Sequence, residues 1–185
     1  MRITGGKHAG RHLTPPSERQ VRPTSEHVRD ELLTWLQPRL KGARVLDLFA
    51  GTGALGLEAL SRGARYADFV ETRPGSLHAL KANVAALRLR EKTRIYKKDA
   101  LPFSAGLAAG AYDVAFCDPP YASRMLDRVI ETWLRIPFAT LLVCEHAIGH
   151  ELPPGGATRE MDDTTAITLY RAPAASTEAE EAEDG

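Results

Sequence analysis

Apolar residues recur at i, i+4, i+7 and i+8 through Val28, Leu32, Trp35 and Leu36, a helical spacing that opens at Thr24 and that Pro38 is predicted to stop. Thr24 is the predicted N-cap, with Glu26 in the first turn. Beyond this helix the pattern alternates between two periods. Short β-rich runs at RVLDLF (44–49), YADFVE (66–71), TRIYK (93–97), YDVAFC (112–117) and TLLVCE (140–145) are separated by helical stretches. These lie at 53–62, from Pro74 with Leu77, Leu80, Val84 and Leu87 on one face, and at 123–134. ATREMDD and TAITLYR read as a closing hairpin. Ahead of all these elements, residues 1–14 read as two short strands around a turn with Gly5, Gly6 and Gly10, and Pro15 and Pro16 can continue neither strand.

Strands alternating with helices predict an α/β chain with a doubly wound, mostly parallel seven-stranded sheet. Right-handed crossovers place helices on both faces, the C-terminal hairpin adds an antiparallel edge, and a small N-terminal β-hairpin extends the body. A length of 185 residues allows one domain with an appendage. The predicted division is a hairpin arm and linker at 1–24, the main domain at 25–173, and an acidic, disordered tail at 174–185.

Composition narrows the chemistry. With 43% apolar and 26% charged residues, wholesale disorder and fibrous structure are excluded. No run of 18 apolar residues occurs and the opening lacks the apolar core of a signal peptide, so a cytoplasmic location is expected. Cys117 and Cys144 sit in apolar runs and read as buried thiols. The histidines are scattered without metal-ligand spacing, so no metal is expected. The net charge of zero hides an asymmetry. Five of the 24 acidic residues crowd the last eight positions, leaving 24 basic against 19 acidic elsewhere. The arm carries Arg2, Lys7, Arg11, Arg19 and Arg22 against Glu18, a hint of a polyanionic partner.

Ligands of such sheets bind outside the strands' carboxyl ends. After the first strand, DLFAGTGALG gives Gly51, Gly53 and Gly56 the G-x-G-x-x-G spacing. Glu71, twenty residues beyond Gly51, ends the second strand, where it can accept hydrogen bonds from ribose hydroxyls. Asp47 decides between dinucleotide and S-adenosylmethionine. A carboxylate there would repel a pyrophosphate, whereas the methyl donor has no phosphate and offers a cationic ammonium. Asp99, ending the third strand, can accept from an adenine amine while the Ala100 N–H meets a ring nitrogen.

After the fourth strand stands Asp118-Pro119-Pro120-Tyr121. Its prolines lack N–H groups and fix φ, so the local carbonyls and the Asp118 carboxylate present acceptors without competing donors. That array suits an exocyclic base amine, whose N–H bonds it can hold while positive charge develops on nitrogen. Tyr121 can stack on a base swung out of its helix or loop.

DLFAGTGALG, Glu71, Asp99 and DPPY, in this order, resemble the amino-methylating class I S-adenosylmethionine-dependent methyltransferases. MRITGGKHAGRHL, the RPTSEHVRDELLTWL helix and DLFAGTGALGLEALSRGA further resemble the bacterial 16S rRNA guanine-N2 methyltransferases that modify guanine 966, over Met1 to about Arg171. The resemblance implies a Rossmann-like class I fold and a pocket for S-adenosylmethionine at Asp47, Phe49, Gly51, Gly53, Glu71, Asp99 and Ala100. It puts Asp118, Pro119 and Tyr121 at the target base as catalytic residues. It also implies that Arg2, Lys7 and Arg11 of the arm, with Arg22 and Arg29, hold RNA. The implied partner is 16S rRNA in the small ribosomal subunit or its assembly intermediate, met by a monomer without metal or membrane. Tyr121 and Thr52 depart from the phenylalanine and serine frequent in relatives but keep an aromatic ring and a hydroxyl. The acceptor could instead be adenine N6 of DNA or RNA, or a protein glutamine amide. A non-catalytic RNA adaptor would leave the acceptor loop without a use, and a nicotinamide reductase conflicts with Asp47.

Overall fold

The computed structural model describes residues 1–16, 25–120 and 123–173. Helix α1 spans Glu26–Trp35, and its cap is Ser25, whose hydroxyl accepts from the Val28 N–H at 3.1 Å. The predicted cap Thr24 and the acidic tail lie outside the described residues. Pro38 does not stop the helical run. It sits in the first turn of a short continuation, α2 (Gln37–Leu40), where its missing N–H would have had no intrahelical partner. The alternation then unfolds as β1 (Arg44–Leu48), α3 (Ala54–Ser61), β2 (Tyr66–Val70), α4 (Pro74–Ala86), β3 (Thr93–Tyr96), α5 (Ala100–Ala105), β4 (Tyr112–Cys117), α6 (Met125–Arg135), β5 (Ala139–Ala147), β6 (Ala157–Glu160) and β7 (Thr165–Arg171). Of these, α5 has no sequence signal, being too short for a period and containing Pro102.

The seven strands form one sheet in the order β3-β2-β1-β4-β5-β7-β6. Strands β1 to β5 run parallel, and β7 is antiparallel to both β5 and β6. The expected doubly wound architecture is therefore present, with the later strand of the hairpin inserted inside the earlier one. Strand alternation divides the core into two layers. Val45, Phe69, Val114 and Phe116 face α1, α3 and α4, where Leu32, Leu57 and Leu80 meet them. Leu46, Val70, Ala115 and Cys117 face the opposite layer, filled by Leu126, Val129, Ile130 and Trp133 of α6 at i, i+3, i+4 and i+7. Both cysteines are buried there as free thiols.

The N-terminal segment departs from expectation in two ways. It makes a single bridge between Arg2 and His12, supported by Ile3 N–H to Arg11 O (2.9 Å) and Gly10 N–H to Ile3 O (2.8 Å), around a 3₁₀ turn at Gly6–His8. These are not two strands. Nor is the segment an appendage, because Ile3 and Leu13 are buried in the first core layer. At Gly6, where φ is +75°, an added Cβ would lie 2.0 Å from the Ser61 carbonyl oxygen, so only glycine lets the turn close over the end of α3.

Candidate functional site

Chain order reverses at β1, whose neighbours β2 and β4 lead to opposite halves of the sheet, and a crevice opens at their carboxyl ends. The turn leaving β1 is tight. Phe49 takes φ +61°, rare for a residue with a side chain, and Gly51 and Gly53 follow at +55° and +80°. The Ala50 N–H bonds the Val70 carbonyl at 3.0 Å and the Gly53 N–H bonds the Ala50 carbonyl at 2.7 Å, closing the loop. Gly56 has a packing role. A Cβ there would lie 2.4 Å from Phe69, so its absence lets α3 rest against β2.

The two acids flanking this loop are in opposite electrostatic states. Asp47 is 2% exposed and accepts the Gly56 N–H at 3.0 Å. Burial pushes its pKa up to about 8; the Gly56 N–H pulls it down and the charge of Glu71 adds to the rise. Glu71 is also buried, which disfavours its charge, yet the main-chain N–H and guanidinium of Arg73 and the Thr72 N–H hold its pKa below the ordinary range. It accepts from the N–H groups of Gly51 (2.8 Å), Thr72 (2.7 Å) and Arg73 (2.8 Å). The Arg73 guanidinium contacts are longer, at 3.3 and 3.4 Å, and are the ones an incoming hydroxyl can displace. Asp99 is exposed and caps α5, accepting from the Leu101 N–H at 2.9 Å, which places buried Ala100 at the helix start.

Across the crevice, Asp118 is half-buried and Pro119 buried at the end of β4, while Pro120 is exposed. Ser123 turns the chain back by donating its N–H and hydroxyl to the Pro120 carbonyl, at 3.1 and 2.8 Å. Tyr121 and Arg22 lie outside the described residues.

Of the predicted RNA contacts, Arg2, Lys7 and Arg11 are exposed. Arg2 pairs with Glu26 at 3.1 Å and Arg11 donates to the Ala86 carbonyl at 3.0 Å. Arg29 requires correction. It is fully buried, bonded through Nε to Glu58 at 3.4 Å and through Nη2 to the Arg2 carbonyl, and cannot reach a phosphate. Buried Glu58 also accepts from the Thr4 hydroxyl (2.7 Å), the Gly5 N–H (2.7 Å) and Arg62 (3.2 Å). A carboxylate so deep needs cationic partners, and this need places Arg29 inside. The fold brings Lys92 to the arm instead. The pKa of His8 is lowered by burial and then by Lys7, Arg11 and Lys92.

Two further residues shape the site. Arg73 lies on Glu71, and periodicity gives no sign of it. Asn83, 1% exposed, ties the arm to the glycine loop: its amide donates to the Thr52 carbonyl (3.0 Å) and its carbonyl accepts the Thr14 N–H (2.7 Å). Its signal is a polar residue at i+3 from Leu80, on the apolar face of α4.

Comparison with known proteins places the chain in a family. The model of the family described as conserved hypothetical protein 95 matches residues 1–167. The chain is 32% identical over 178 residues to the ribosomal RNA small subunit methyltransferase D of Haemophilus influenzae, covering 92% of each. It is 38% identical over 130 residues to the protein of the same name from Escherichia coli K12, covering 70% of this chain and 65% of that one. A hypothetical protein of Thermus thermophilus has a similar solved structure, with a TM-score of 0.79 at 33% identity over 93% of this chain and 99% of that one.

Proposed function

Because the chain belongs to the family described as conserved hypothetical protein 95, that of the ribosomal RNA small subunit methyltransferases D, we propose that it methylates 16S rRNA with S-adenosylmethionine as donor. The acceptor in this reading is the exocyclic N2 of one guanine, guanine 966 by resemblance, in the small subunit or its assembly intermediate. The enzyme works as a cytoplasmic monomer. The observation that carries the reading is the pairing, across one switch point, of a glycine loop flanked by Asp47 and Glu71 with the donor-poor Asp118-Pro119-Pro120 turn.

The residues fit the donor. Asp47 is a carboxylate raised by burial and supported by one N–H, so a ligand ammonium would restore its charge, whereas a pyrophosphate would face both Asp47 and Glu71. Glu71, kept ionised, would take ribose hydroxyls by displacing the long Arg73 contacts. The positive φ angles at Gly51 and Gly53 bring main chain close to the ligand. Asp99 and Ala100 would meet the adenine. When bound, S-adenosylmethionine supplies a methyl group on a positively charged sulfur.

Asp118 and the Pro119 carbonyl would hold the two N–H bonds of the acceptor amine. They orient its nitrogen and stabilise the positive charge that grows there, the kind of preorganised contact worth roughly 10²–10³ in rate. Tyr121 would stack on the flipped base. Lys7 and Arg11, with Arg2 and Arg22, would contact RNA phosphates.

The test is transfer of tritium from labelled S-adenosylmethionine to small ribosomal subunits or assembly intermediates from cells lacking the enzyme, followed by digestion to nucleosides. Label in N2-methylguanosine at one site is the expected result. Label in N6-methyladenosine or in protein would overturn the acceptor while keeping the donor.

A further inference from the structure

Beside the acceptor turn lies a second cleft, of about 240 Å³, between the end of β5, the loop after it and the β6–β7 hairpin. His146 and His150 line both this cleft and a small cavity walled by Pro119, Pro120 and Leu126, so the cleft adjoins the acceptor turn. We propose that this cleft is a second base subsite, which takes an unstacked, amino-bearing nucleobase next to the methylated one through Glu160 and the rings and apolar walls around it. The proposal rests on the RNA acceptor argued above and names how that RNA is selected.

Size favours a single ring system. The volume far exceeds the roughly 30 Å³ share of a water molecule and falls below the roughly 300–1,000 Å³ of pockets for drug-sized ligands. The walls are Ile148, which is 39% exposed, with Leu152, Pro153 and Tyr170, and they suit the faces of a planar base. The Tyr170 hydroxyl donates to the Pro153 carbonyl at 2.5 Å, fixing one wall.

The floor is rigid and uncharged. His146 is 4% exposed; its Nδ1 lies 3.0 Å from the Ala147 carbonyl, to which it donates, and its Nε2 lies 2.8 Å from the Thr168 hydroxyl. That hydroxyl in turn lies 2.7 Å from the Thr158 hydroxyl. With Nδ1 carrying the proton and Nε2 accepting, the ring is neutral, and burial lowers its pKa further.

Charge at the rim separates base from phosphate. Among the described residues lining the cleft there is no lysine or arginine, while Glu160 is there and His150 is paired with Asp127 at 2.9 Å. A phosphate would meet the Glu160 carboxylate with no lysine or arginine in the lining to offset it. An exocyclic amine would instead donate to Glu160, as cytosine amines do to acidic side chains.

The experiment has two arms, on the full chain. In the first, cytidine, adenosine, guanosine, uridine and ribose 5-phosphate are each titrated onto protein saturated with S-adenosylhomocysteine, which keeps adenosine out of the donor site, while the His146 and His150 ring resonances are followed by NMR. The amino-bearing nucleosides should give saturable shifts, with uridine weaker. Glu160→Gln should weaken them about tenfold, the loss of one charge-assisted hydrogen bond, and Thr158→Phe, on an exposed edge strand, should abolish them. In the second arm both variants should raise the RNA KM about tenfold with the S-adenosylmethionine Kd unchanged. Shifts of equal size from ribose 5-phosphate alone, or an unchanged RNA KM in Thr158→Phe, would overturn the subsite. Wild-type protein that transfers nothing to RNA but still binds the nucleosides at these rings would remove the acceptor reading and keep the cleft as a base site.

Discussion

On the β1–β2 side of the crevice the carboxylates are clasped by main-chain N–H groups, those of Gly51, Thr72 and Arg73 on Glu71 and that of Gly56 on Asp47. On the β4–β5–β7 side the polar groups are side chains bonded to one another across strands, as in the His146, Thr168 and Thr158 chain. A site made of backbone donors needs glycines and an acid at fixed spacing, and it forms wherever that stretch folds. A site made of side-chain networks needs the register of distant strands to be right. The first therefore looks alike across many ligands of one class, and the second is where selectivity can be set.

The largest effect expected tests what underlies the donor side. Arg29→Ala would leave Glu58 buried with one cation fewer and should cost about 3–5 kcal/mol of stability, read as a fall in the urea midpoint, without changing the salt dependence of RNA binding. A changed salt slope at intact stability would return Arg29 to the RNA surface. Next, Asp118→Ala should lower kcat by on the order of 10²–10³ and leave donor affinity intact. An equal loss of donor binding would erase the division between the two sides. Gly56→Ala should do the reverse. Its methyl group would press on Phe69 and shift the N–H that Asp47 accepts, costing about 1–3 kcal/mol and weakening donor binding before it touches the acceptor turn.

Acidity sharpens the same contrast. The ordinary pKa of an aspartate, 3.8, is raised to about 8 for Asp47 in the folded, ligand-free protein. Donor binding wants the ionised form, so affinity should strengthen by up to about tenfold per pH unit toward pH 8 and level off above it. Stability of the ligand-free protein runs the other way. Because the folded pKa is raised, the stability that Asp47 contributes is full below pH 3.8 and is lost as pH rises through the interval to about 8. Asp47→Asn should flatten both profiles, weakening donor binding while making the ligand-free protein more stable at pH 8. A binding profile without slope between pH 6 and 8 would exclude Asp47 as the ammonium partner. The smallest effect is at the arm. Lys7→Ala should lower the salt slope of RNA binding by about one phosphate contact and leave stability unchanged.

The donor side was largely legible in the chain. Asp47, Gly51, Gly53 and Glu71 lie where their spacing predicts, since a strand, a tight turn and a helix leave them few alternatives. Arg73 was not legible, because an arginine two residues from a glutamate has no periodic signature. On the acceptor side the Asp118-Pro119-Pro120 turn at the end of β4 was readable, but His146, Thr158 and Glu160 carry no motif. They meet only because β7 pairs Thr168 with both Cys144 and Thr158, a register that no local pattern encodes.

The arm shows the same limit. Its glycines and basic residues suggested a free hairpin, while burial of Ile3 and Leu13 and the Glu58 cluster made it part of the body.

What the sequence determined by itself is what short-range physics controls: the alternation of strand and helix periods, hence a mostly parallel sheet, the glycine turn, and a proline turn stripped of donors. What only the tertiary structure decided is the place of β7 between β5 and β6, the burial of Arg29, and the charge states of Asp47 and Glu71. Those two acids differ little along the chain. One is pushed up to about 8 and the other held low because ionisation depends on how many donors and how much water surround a carboxylate, and that is set by what packs against it from elsewhere.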